Sequence, residues 1–347
     1  MIDTIGVFVG SASSFNVIRV AKNVGRALNG EFTTHLIATD ETLVSETNEA
    51  YDKVCNPRLT SFLSKDLSSL RSYLRSHKPD ALFQITSPPI HGSIVGSLSQ
   101  IYGIPFVYRY SGDRFYEYKL SRGFDKALHF GLNNVIGRYP LHLAESYVTL
   151  GPTGEERLRA RGVDNGNISI IPPAVDQEKF SPSGPTVEFD TDRNVGLFVG
   201  RLSRLKGRET LERTLPRILD RRDDLHFVFV GRREESFTIP ERYDDYITLV
   251  GPVSPEDVPR YFRAATFLIH PSLTEGMPRT VLEALASETP TIARDVGEIA
   301  YATENTFQTD QQFIEMVCNF ESLEVDSVDR FLFENIEGKY RRLFSEL

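Results

Sequence analysis

The feature that most constrains the fold of this chain is an alternation of short apolar strands with amphipathic helices, which starts twice along the sequence. The first series begins at residues 5–9, where an apolar run is followed by a small-residue loop and then by apolar positions at helical spacing. The second begins at residues 195–199, after a stretch rich in Pro, Ser, Gly and Asp. Such alternation is typical of parallel sheets with helices on both faces, so the sequence predicts an α/β fold with two Rossmann-like open domains facing a central cleft.

The predicted elements give the boundaries of these domains. At 347 residues the chain is about twice the ~100–200 residues expected of one domain. We expect strands at residues 5–9, 34–38, 81–85, 105–108, 147–150, 169–171, 195–199, 227–230, 247–250, 266–269 and 289–292, and helices at 17–28, 62–77, 90–102, 153–161, 209–221, 258–265 and 280–286. The prediction is a first domain over residues 1–172, a linker over 173–190, a second domain over 191–330 and a C-terminal helix over 331–347 that crosses back to the first domain.

Composition and charge exclude several classes of protein. The net charge of -9 argues against a nucleic-acid partner, although residues 1–172 carry 18 basic and 16 acidic residues while residues 173–347 carry 21 and 32. No apolar run reaches the ~18 residues that span a bilayer, and the first ten residues lack the features of a signal peptide. The two cysteines, Cys55 and Cys318, are too few and too distant in sequence for a disulfide framework. We therefore expect a cytoplasmic protein with reduced thiols.

A basic loop follows the first strand of the second domain. It runs from Gly200 through Arg201 and Lys206 to Gly207 and stands directly before a helix. Backbone N–H groups and a helix N-terminus favour an anion at such a position, so the loop suits a diphosphate. The residues alone leave a second interpretation open, in which the loop is merely solvated and its glycines serve the turn.

Two glutamates mark the loop and helix that follow residues 266–269. Glu275 precedes Gly276 in the loop, and Glu283 lies about two turns inside the helix among leucines. Burying a carboxylate without a partner is expensive, and a ribose diol is one partner that suits Glu283. The alternative is that Glu283 points to solvent and that Glu275 caps the helix together with Thr274.

Taken together, these residues resemble those of the retaining glycosyltransferases with the GT-B fold, and most closely glycosyltransferase family 4. The resemblance is carried by Gly200-Arg201-Leu202 with Lys206-Gly207, by Glu275 and Glu283 at their spacing, by Ile170-Ile171-Pro172-Pro173, by Gly251-Pro252-Val253 and by Thr289-Pro290-Thr291. It covers mainly residues 145–300. It implies an enzyme that moves a sugar from a nucleotide diphosphate sugar to a hydroxyl acceptor on a glycan or a lipid-linked molecule, with an acceptor-side first domain and a donor-binding second domain.

The resemblance also implies a role for each matching residue. Arg201 and Lys206 neutralise the diphosphate, Glu283 holds the ribose hydroxyls and Glu275 contacts the sugar. The remaining donor contacts are assigned to Gly200, Gly207, Gly251, Val253, Gly276 and Met277, with Gly10 in the first domain approaching the donor phosphate. Catalysis without a metal and without a cofactor is expected, because the seven histidines show no paired spacing. His270 is the one histidine expected near the site.

Three positions depart from the family pattern. Where many relatives have a histidine after the strand that ends at Tyr108, this chain has Arg109, and Asp113 is the candidate for that catalytic contact. An Asp-initiated turn at Asp113 is the alternative. Glu288 stands where relatives usually have glycine, and the loop after Gly10 lacks the usual glycine pair.

Residues 109–138 interleave basic and aromatic side chains. Such a segment is able to lie on an anionic membrane surface, and the inner face of the membrane is therefore an expected location. The alternative is an ordinary amphipathic helix packed on its own domain.

Two other functions remain open at this point, namely a non-catalytic nucleotide-sugar-binding subunit and a sugar-nucleotide epimerase on the same fold. A nicotinamide dehydrogenase is disfavoured because no Gly-x-Gly-x-x-Gly follows the first strand.

Overall fold

The computed structural model of the chain describes residues 2–11, 14–56, 64–112, 115–121, 123–234 and 237–347. The chain divides into two compact units, of which unit 1 comprises Met1–Ala174 and Phe333–Leu347, and unit 2 comprises Val175–Leu332. The C-terminal segment is therefore part of unit 1. Most of the segment predicted as a linker belongs to unit 2.

Unit 1 is built on a seven-stranded parallel sheet with the order β3-β2-β1-β4-β5-β6-β7. Its strands are β1 (Thr4–Gly10), β2 (Thr33–Ala38), β3 (Lys53–Cys55), β4 (Ala81–Gln84), β5 (Phe106–Arg109), β6 (Ser146–Thr149) and β7 (Ile168–Ile170). Its helices are α1 (Phe15–Leu28), α2 (Glu41–Thr47), α3 (Ser64–Ser76), α4 (Pro88–Tyr102), α5 (Gly123–Phe130), α6 (Pro152–Arg159) and α11 (Phe333–Ser345). Strand β1 is buried over all but its first residue, as expected for a central parallel strand.

Helix α11 contributes side chains to the core of unit 1. Ile336, Tyr340, Leu343 and Phe344 are buried in the same apolar cluster as residues of β1, β4 and α1. The Phe344 ring meets the Phe83 ring edge-on, with their centroids 5.7 Å apart. The last helix of the chain thus covers one face of the first sheet.

Unit 2 is built on a six-stranded parallel sheet with the order β10-β9-β8-β11-β12-β13. Its strands are β8 (Asn194–Val199), β9 (Leu225–Val230), β10 (Ile247–Gly251), β11 (Phe267–His270), β12 (Thr291–Arg294) and β13 (Thr306–Phe307), and its helices are α7 (Arg208–Leu219), α8 (Val258–Ala264), α9 (Arg279–Ala286) and α10 (Asp310–Cys318). The strand order reverses between β8 and β11. In open sheets of this kind, ligands bind outside the carboxyl ends of the strands at such a reversal.

Polar contacts fix how α7 packs beside α10 in unit 2. Three arginines at intervals of four residues, two on α7 and one in the turn just after it, reach acceptors on α10: Arg213 pairs with Asp310 at 2.8 Å, Arg217 with Gln311 at 2.8 Å and Arg221 with Glu315 at 3.1 Å. Because residues four apart lie on one face of a helix, the three contacts select one register between the two helices.

All eleven predicted strands and the predicted helices are present, with ends shifted by one or two residues where the structure describes them. The first two residues of the helix predicted at 62–77 lie outside the described residues. Strands β3 and β13 and helices α2 and α10 are not among the predicted elements. The two strands are only three and two residues long, too short to show a pattern.

Candidate functional site

The basic loop after β8 and the acidic loop after β11 come together at the carboxyl edge of the unit 2 sheet. Since β8 and β11 are neighbours at the reversal of strand order, the residues that follow them share this edge. The backbone N–H of Leu273 donates to the carbonyl of Leu205 at 2.8 Å, which joins the two loops directly. The two sequence motifs therefore form one site.

Glu275 is at the centre of this site. Its Oε1 accepts from Lys206 Nζ at 2.5 Å and from His270 Nε2 at 3.0 Å. Burial alone would raise the pKa of Glu275, but the hydrogen bond and charge of His270, together with the Lys206 ammonium, outweigh burial and bring the pKa to about 2. Glu275 is thus a carboxylate at every physiological pH, and it does not cap the helix with Thr274.

Two glycines allow the loops to approach so closely. A Cβ on Gly207, whose φ is +89°, would stand 2.2 Å from the carbonyl oxygen of Pro271 in the acidic loop. A Cβ on Gly297 would stand 2.3 Å from the carbonyl oxygen of Glu275. Side chains at either position would push the acidic loop away, so glycine is required at both.

A pocket of about 450 Å³ adjoins the site on the side of β9 and β10. It lies over the carboxyl ends of three neighbouring strands, where Gly200 follows β8, Gly231 follows β9 and Gly251 ends β10. Its walls are more apolar than polar but include two arginines, and the lining side chains are Phe198, Leu202, Phe229, Arg232, Arg233, Leu249 and Pro252. A flat apolar group that carries polar edges, such as a nucleobase, suits a pocket of this composition.

The other predicted donor residues of unit 2 lie in these loops or in the helix that follows. Arg201 is exposed next to the pocket, whereas Glu283 on α9 is buried with 8% of its surface exposed. Met277 is buried, Val253 is half-buried after β10, and the carbonyl of Gly276 accepts from the backbone of Glu298 at 2.8 Å. Glu288, where relatives have glycine, adopts a φ of 56°, which explains why glycine suits that turn.

The candidate residues of unit 1 are described only in part. Asp113, the candidate for the catalytic contact, lies outside the described residues. Gly10 ends β1 with a φ of +67°. Arg109, at the place of the missing histidine, is buried at the end of β5, and its guanidinium donates to the carbonyl of Ile85 at 3.3 Å.

Sequence reasoning missed a partly buried contact between His91 and Asp66 beside Gly10. The Thr86 hydroxyl donates to the carbonyl of Val9 at 2.7 Å and so accepts from His91 Nδ1–H at 2.8 Å. The other ring nitrogen, Nε2, faces Asp66 Oδ2 at 3.1 Å, and a carboxylate only accepts. Although burial opposes it, the contact with His91 lowers the pKa of Asp66.

The described residues hold no group of three or more His, Cys, Asp or Glu side chains arranged to bind a metal ion. The two cysteines are free thiols, and burial raises the pKa of both Cys55 and Cys318.

The chain matches known glycosyltransferases in sequence. Residues 193–319 match the family described as glycosyl transferases group 1. The chain is 31% identical over 156 residues to the D-inositol 3-phosphate glycosyltransferase of Pseudarthrobacter chlorophenolicus, covering 41% of this chain and 37% of the relative. It thus spans much less than two thirds of the length of this curated relative.

Solved structures extend the likeness to nearly the whole chain. The lipopolysaccharide outer core galactosyltransferase WaaB, in its apo form, superposes with a TM-score of 0.70 at 17% identity, covering 99% of this chain and all of that one. HepE from Anabaena in complex with UDP-glucose superposes with a TM-score of 0.69 at 14% identity and similar coverage. The fold is therefore the GT-B fold, with two Rossmann-like domains. The match of residues 193–319 to the group 1 glycosyl transferases confirms the predicted resemblance over that part of the chain.

Proposed function

We propose that the protein transfers a glycosyl group from a nucleoside diphosphate sugar to a hydroxyl acceptor, with retention of configuration at the anomeric carbon. The observation that carries the proposal is the meeting of Lys206 with Glu275 at the reversal of strand order in unit 2. A cation for a diphosphate and a carboxylate for sugar hydroxyls are thereby combined in one site. Retention is taken from the family resemblance.

The sheet order supports an extended orientation of the donor. Along the carboxyl edge the apolar pocket lies over β10, β9 and β8, the basic loop follows β8, and the acidic loop follows β11. Three strand spacings of about 4.8 Å make a span of about 14 Å, enough for a base, a ribose, a diphosphate and the start of a sugar in line. The base then occupies the pocket near Gly251 and Val253, and Glu283 receives the ribose.

The reaction needs little more from the protein than charge and position. The bond between the anomeric carbon and the diphosphate oxygen breaks, and the diphosphate keeps the electron pair. The acceptor hydroxyl forms the new bond to that carbon and gives its proton to an oxygen of the departing diphosphate. Arg201 and Lys206 stabilise the charge that grows on the leaving diphosphate, and this stabilisation lowers the barrier because it is stronger in the transition state than in the bound donor.

The first test is binding of UDP, GDP, ADP and CDP to the full chain by isothermal titration calorimetry. We expect at least one to bind, and Glu283→Gln to weaken it by roughly tenfold or more, because a hydrogen bond from a ribose hydroxyl to a carboxylate is charge-assisted. Glu288→Gln, the same change at an exposed position in the turn that follows α9, should leave the affinity for the nucleotide unaltered. Absence of binding by all four nucleotides would refute the proposal.

Activity assays separate this proposal from its alternatives. A transferase consumes the nucleotide sugar only when an acceptor, or water acting slowly in its place, takes the sugar. An epimerase converts the nucleotide sugar without releasing nucleoside diphosphate, and a non-catalytic subunit binds it unchanged. Analysis of the products formed from the nucleotide sugar that binds therefore distinguishes the three.

We further propose that unit 1, the acceptor-binding unit, lies against an anionic membrane surface. None of the residues of α5 is buried, and Phe124 is 81% exposed. The α5 patch consists of the exposed apolar side chains Phe124, Leu128, Phe130, Val135, Ile136 and Tyr139, with the exposed basic side chains Lys119, Lys126 and Arg138 among them. Apolar side chains that insert at the headgroup level beside cations suit a bilayer that carries anionic lipid. Among the described residues no helix is long and apolar enough to cross a membrane.

Cosedimentation with lipid vesicles tests the α5 patch. The full chain should bind vesicles that contain anionic lipid, and the variant with Lys119→Glu, Lys126→Glu and Phe124→Ser should bind at least tenfold more weakly, since each basic residue near such a surface contributes ~1 kcal/mol. A matched control places the same charge change elsewhere on unit 1, at the exposed residues Lys22 and Lys78. Equal binding to neutral and anionic vesicles, or equal losses in the variant and the control, would contradict the proposal.

A further inference from the structure

One oxygen of Glu275 lies within hydrogen-bond distance of two basic side chains, Lys206 and His270, that differ greatly in mobility. Lys206 Nζ lies 2.5 Å and His270 Nε2 lies 3.0 Å from Oε1. The Lys206 side chain is 37% exposed and ends a flexible four-carbon stem, whereas the His270 side chain is 4% exposed. His270 is also the last residue of β11, where it pairs with Ala293 of the next strand. Lys206 is free to change partners and His270 is not.

A bound diphosphate competes for Lys206, and this step rests on the proposed function. The diphosphate of a nucleotide sugar carries two negative charges, and Lys206 follows the strand beside that of Glu275. When Lys206 turns to the diphosphate, Glu275 loses one cation and gains a nearby anion. Both changes favour protonation of a carboxyl group that is already largely buried, and a protonated Glu275 would accept fewer hydrogen bonds from a sugar.

We propose that His270 is the positioning residue that holds Glu275 ionised and oriented while Lys206 moves to the diphosphate. Among the described residues, His270 and Lys206 are the side chains that lower the pKa of Glu275, so His270 is the hydrogen-bond partner that remains when Lys206 turns away. Because both donors use Oε1, the second oxygen, Oε2, is left without a donor among the described residues. It is therefore available to a sugar hydroxyl throughout the exchange.

The role of His270 can be tested by measuring the protons that the protein takes up when a nucleotide sugar binds. This measurement does not require the acceptor to be known. A nucleotide sugar has no phosphate group that titrates near neutral pH, so uptake at about pH 6 reports the protein. We would titrate UDP-glucose, UDP-N-acetylglucosamine and GDP-mannose in buffers of different ionisation enthalpy. The unaltered chain should take up essentially no proton at Glu275. The variant His270→Phe, in which Glu275 is left alone beside the diphosphate, should take up as much as about one proton per site.

Three further variants make the result specific. The double variant His270→Phe with Glu275→Gln should lose the extra uptake, since the titrating carboxyl is gone. His270→Gln retains an N–H donor and should restore most of the unaltered behaviour. His226→Phe replaces another buried histidine of unit 2, one that contacts Thr248 at 2.8 Å away from the site, and should show no extra uptake.

The outcomes are separable. If no nucleotide sugar binds the unaltered chain, the proposed function is wrong and this inference is wrong with it. If one binds and His270→Phe takes up no extra proton, the inference alone is overturned. Should His270→Phe not fold, Lys206→Met gives the answer, because His270 is expected to keep Glu275 ionised there, and proton uptake in that variant would contradict the proposal.

Discussion

Replacing Arg201 or Lys206 by alanine is expected to lower turnover by roughly 10²–10³-fold, because a contact to the departing diphosphate is worth ~2–4 kcal/mol in the transition state. The loss should fall mainly on kcat, since the charge that these side chains meet grows as the bond to the diphosphate breaks. Arg201 is exposed beside the pocket and Lys206 lies 2.5 Å from Glu275, so both reach the same edge of the sheet. Steady-state kinetics with the nucleotide sugar that binds is the measurement.

A matched arginine controls for the loss of positive charge. Arg217→Ala removes a guanidinium from α7 that contacts Gln311 of α10, on a surface that the site does not use. Its kinetic constants should stay close to those of the unaltered chain. If the kcat values of Arg201→Ala and Lys206→Ala also stayed within about twofold of that of the unaltered chain, neither residue would act on the leaving group.

Gly207→Ala is expected to lower the free energy of unfolding by about 2–5 kcal/mol and to abolish nucleotide binding. A left-handed backbone costs an alanine ~1–2 kcal/mol, and forcing atoms into a filled space costs ~1–3 kcal/mol more. Here the space holds the carbonyl oxygen of Pro271, 2.2 Å from the new Cβ, and that carbonyl begins the loop that carries Glu275. Thermal unfolding and calorimetric titration of nucleoside diphosphates measure both effects.

Gly162→Ala separates the two causes. Gly162 has nearly the same backbone angle, with a φ of +87° against +89°, but no described atom lies within 4 Å of the position of its Cβ. It should show only the smaller cost of the left-handed backbone and should bind nucleotide normally. Equal losses of stability in the two variants would mean that the two loops are not held together at Gly207.

Much of the fold was predictable because buried parallel strands appear as continuous apolar runs. Strands such as β1 and β9 are buried along nearly their whole length, and their sequences show it. Helix α10 was missed although its start carries a capping box, with Thr309 and Gln312 three residues apart. That signal was present in the sequence, and the apolar residues Phe313, Ile314 and Val317 follow it at helical spacing.

The site was predictable as a set of residues but not as a set of contacts. The motifs identified Lys206 and Glu275 separately. These two residues are 69 apart in sequence, and their contact forms because β8 and β11 are neighbours in the sheet. His270 was expected nearby because it directly follows a strand and precedes the acidic loop. The pair of Asp66 and His91 carries no spacing signal, since it forms only when α3 and α4 pack beside the end of β1.

The position of α11 has a consequence for the order in which the chain acquires its structure. Ile336, Tyr340 and Phe344 belong to the core of unit 1, although they are synthesised after all of unit 2. Domains generally fold as units and in the order of synthesis, but here the earlier unit emerges from the ribosome with part of one apolar face of its sheet still uncovered. Unit 2 is complete before the residues that close that face appear. The half of the molecule made first is thus the half finished last, and during synthesis it is the one exposed longest to aggregation and to chaperones.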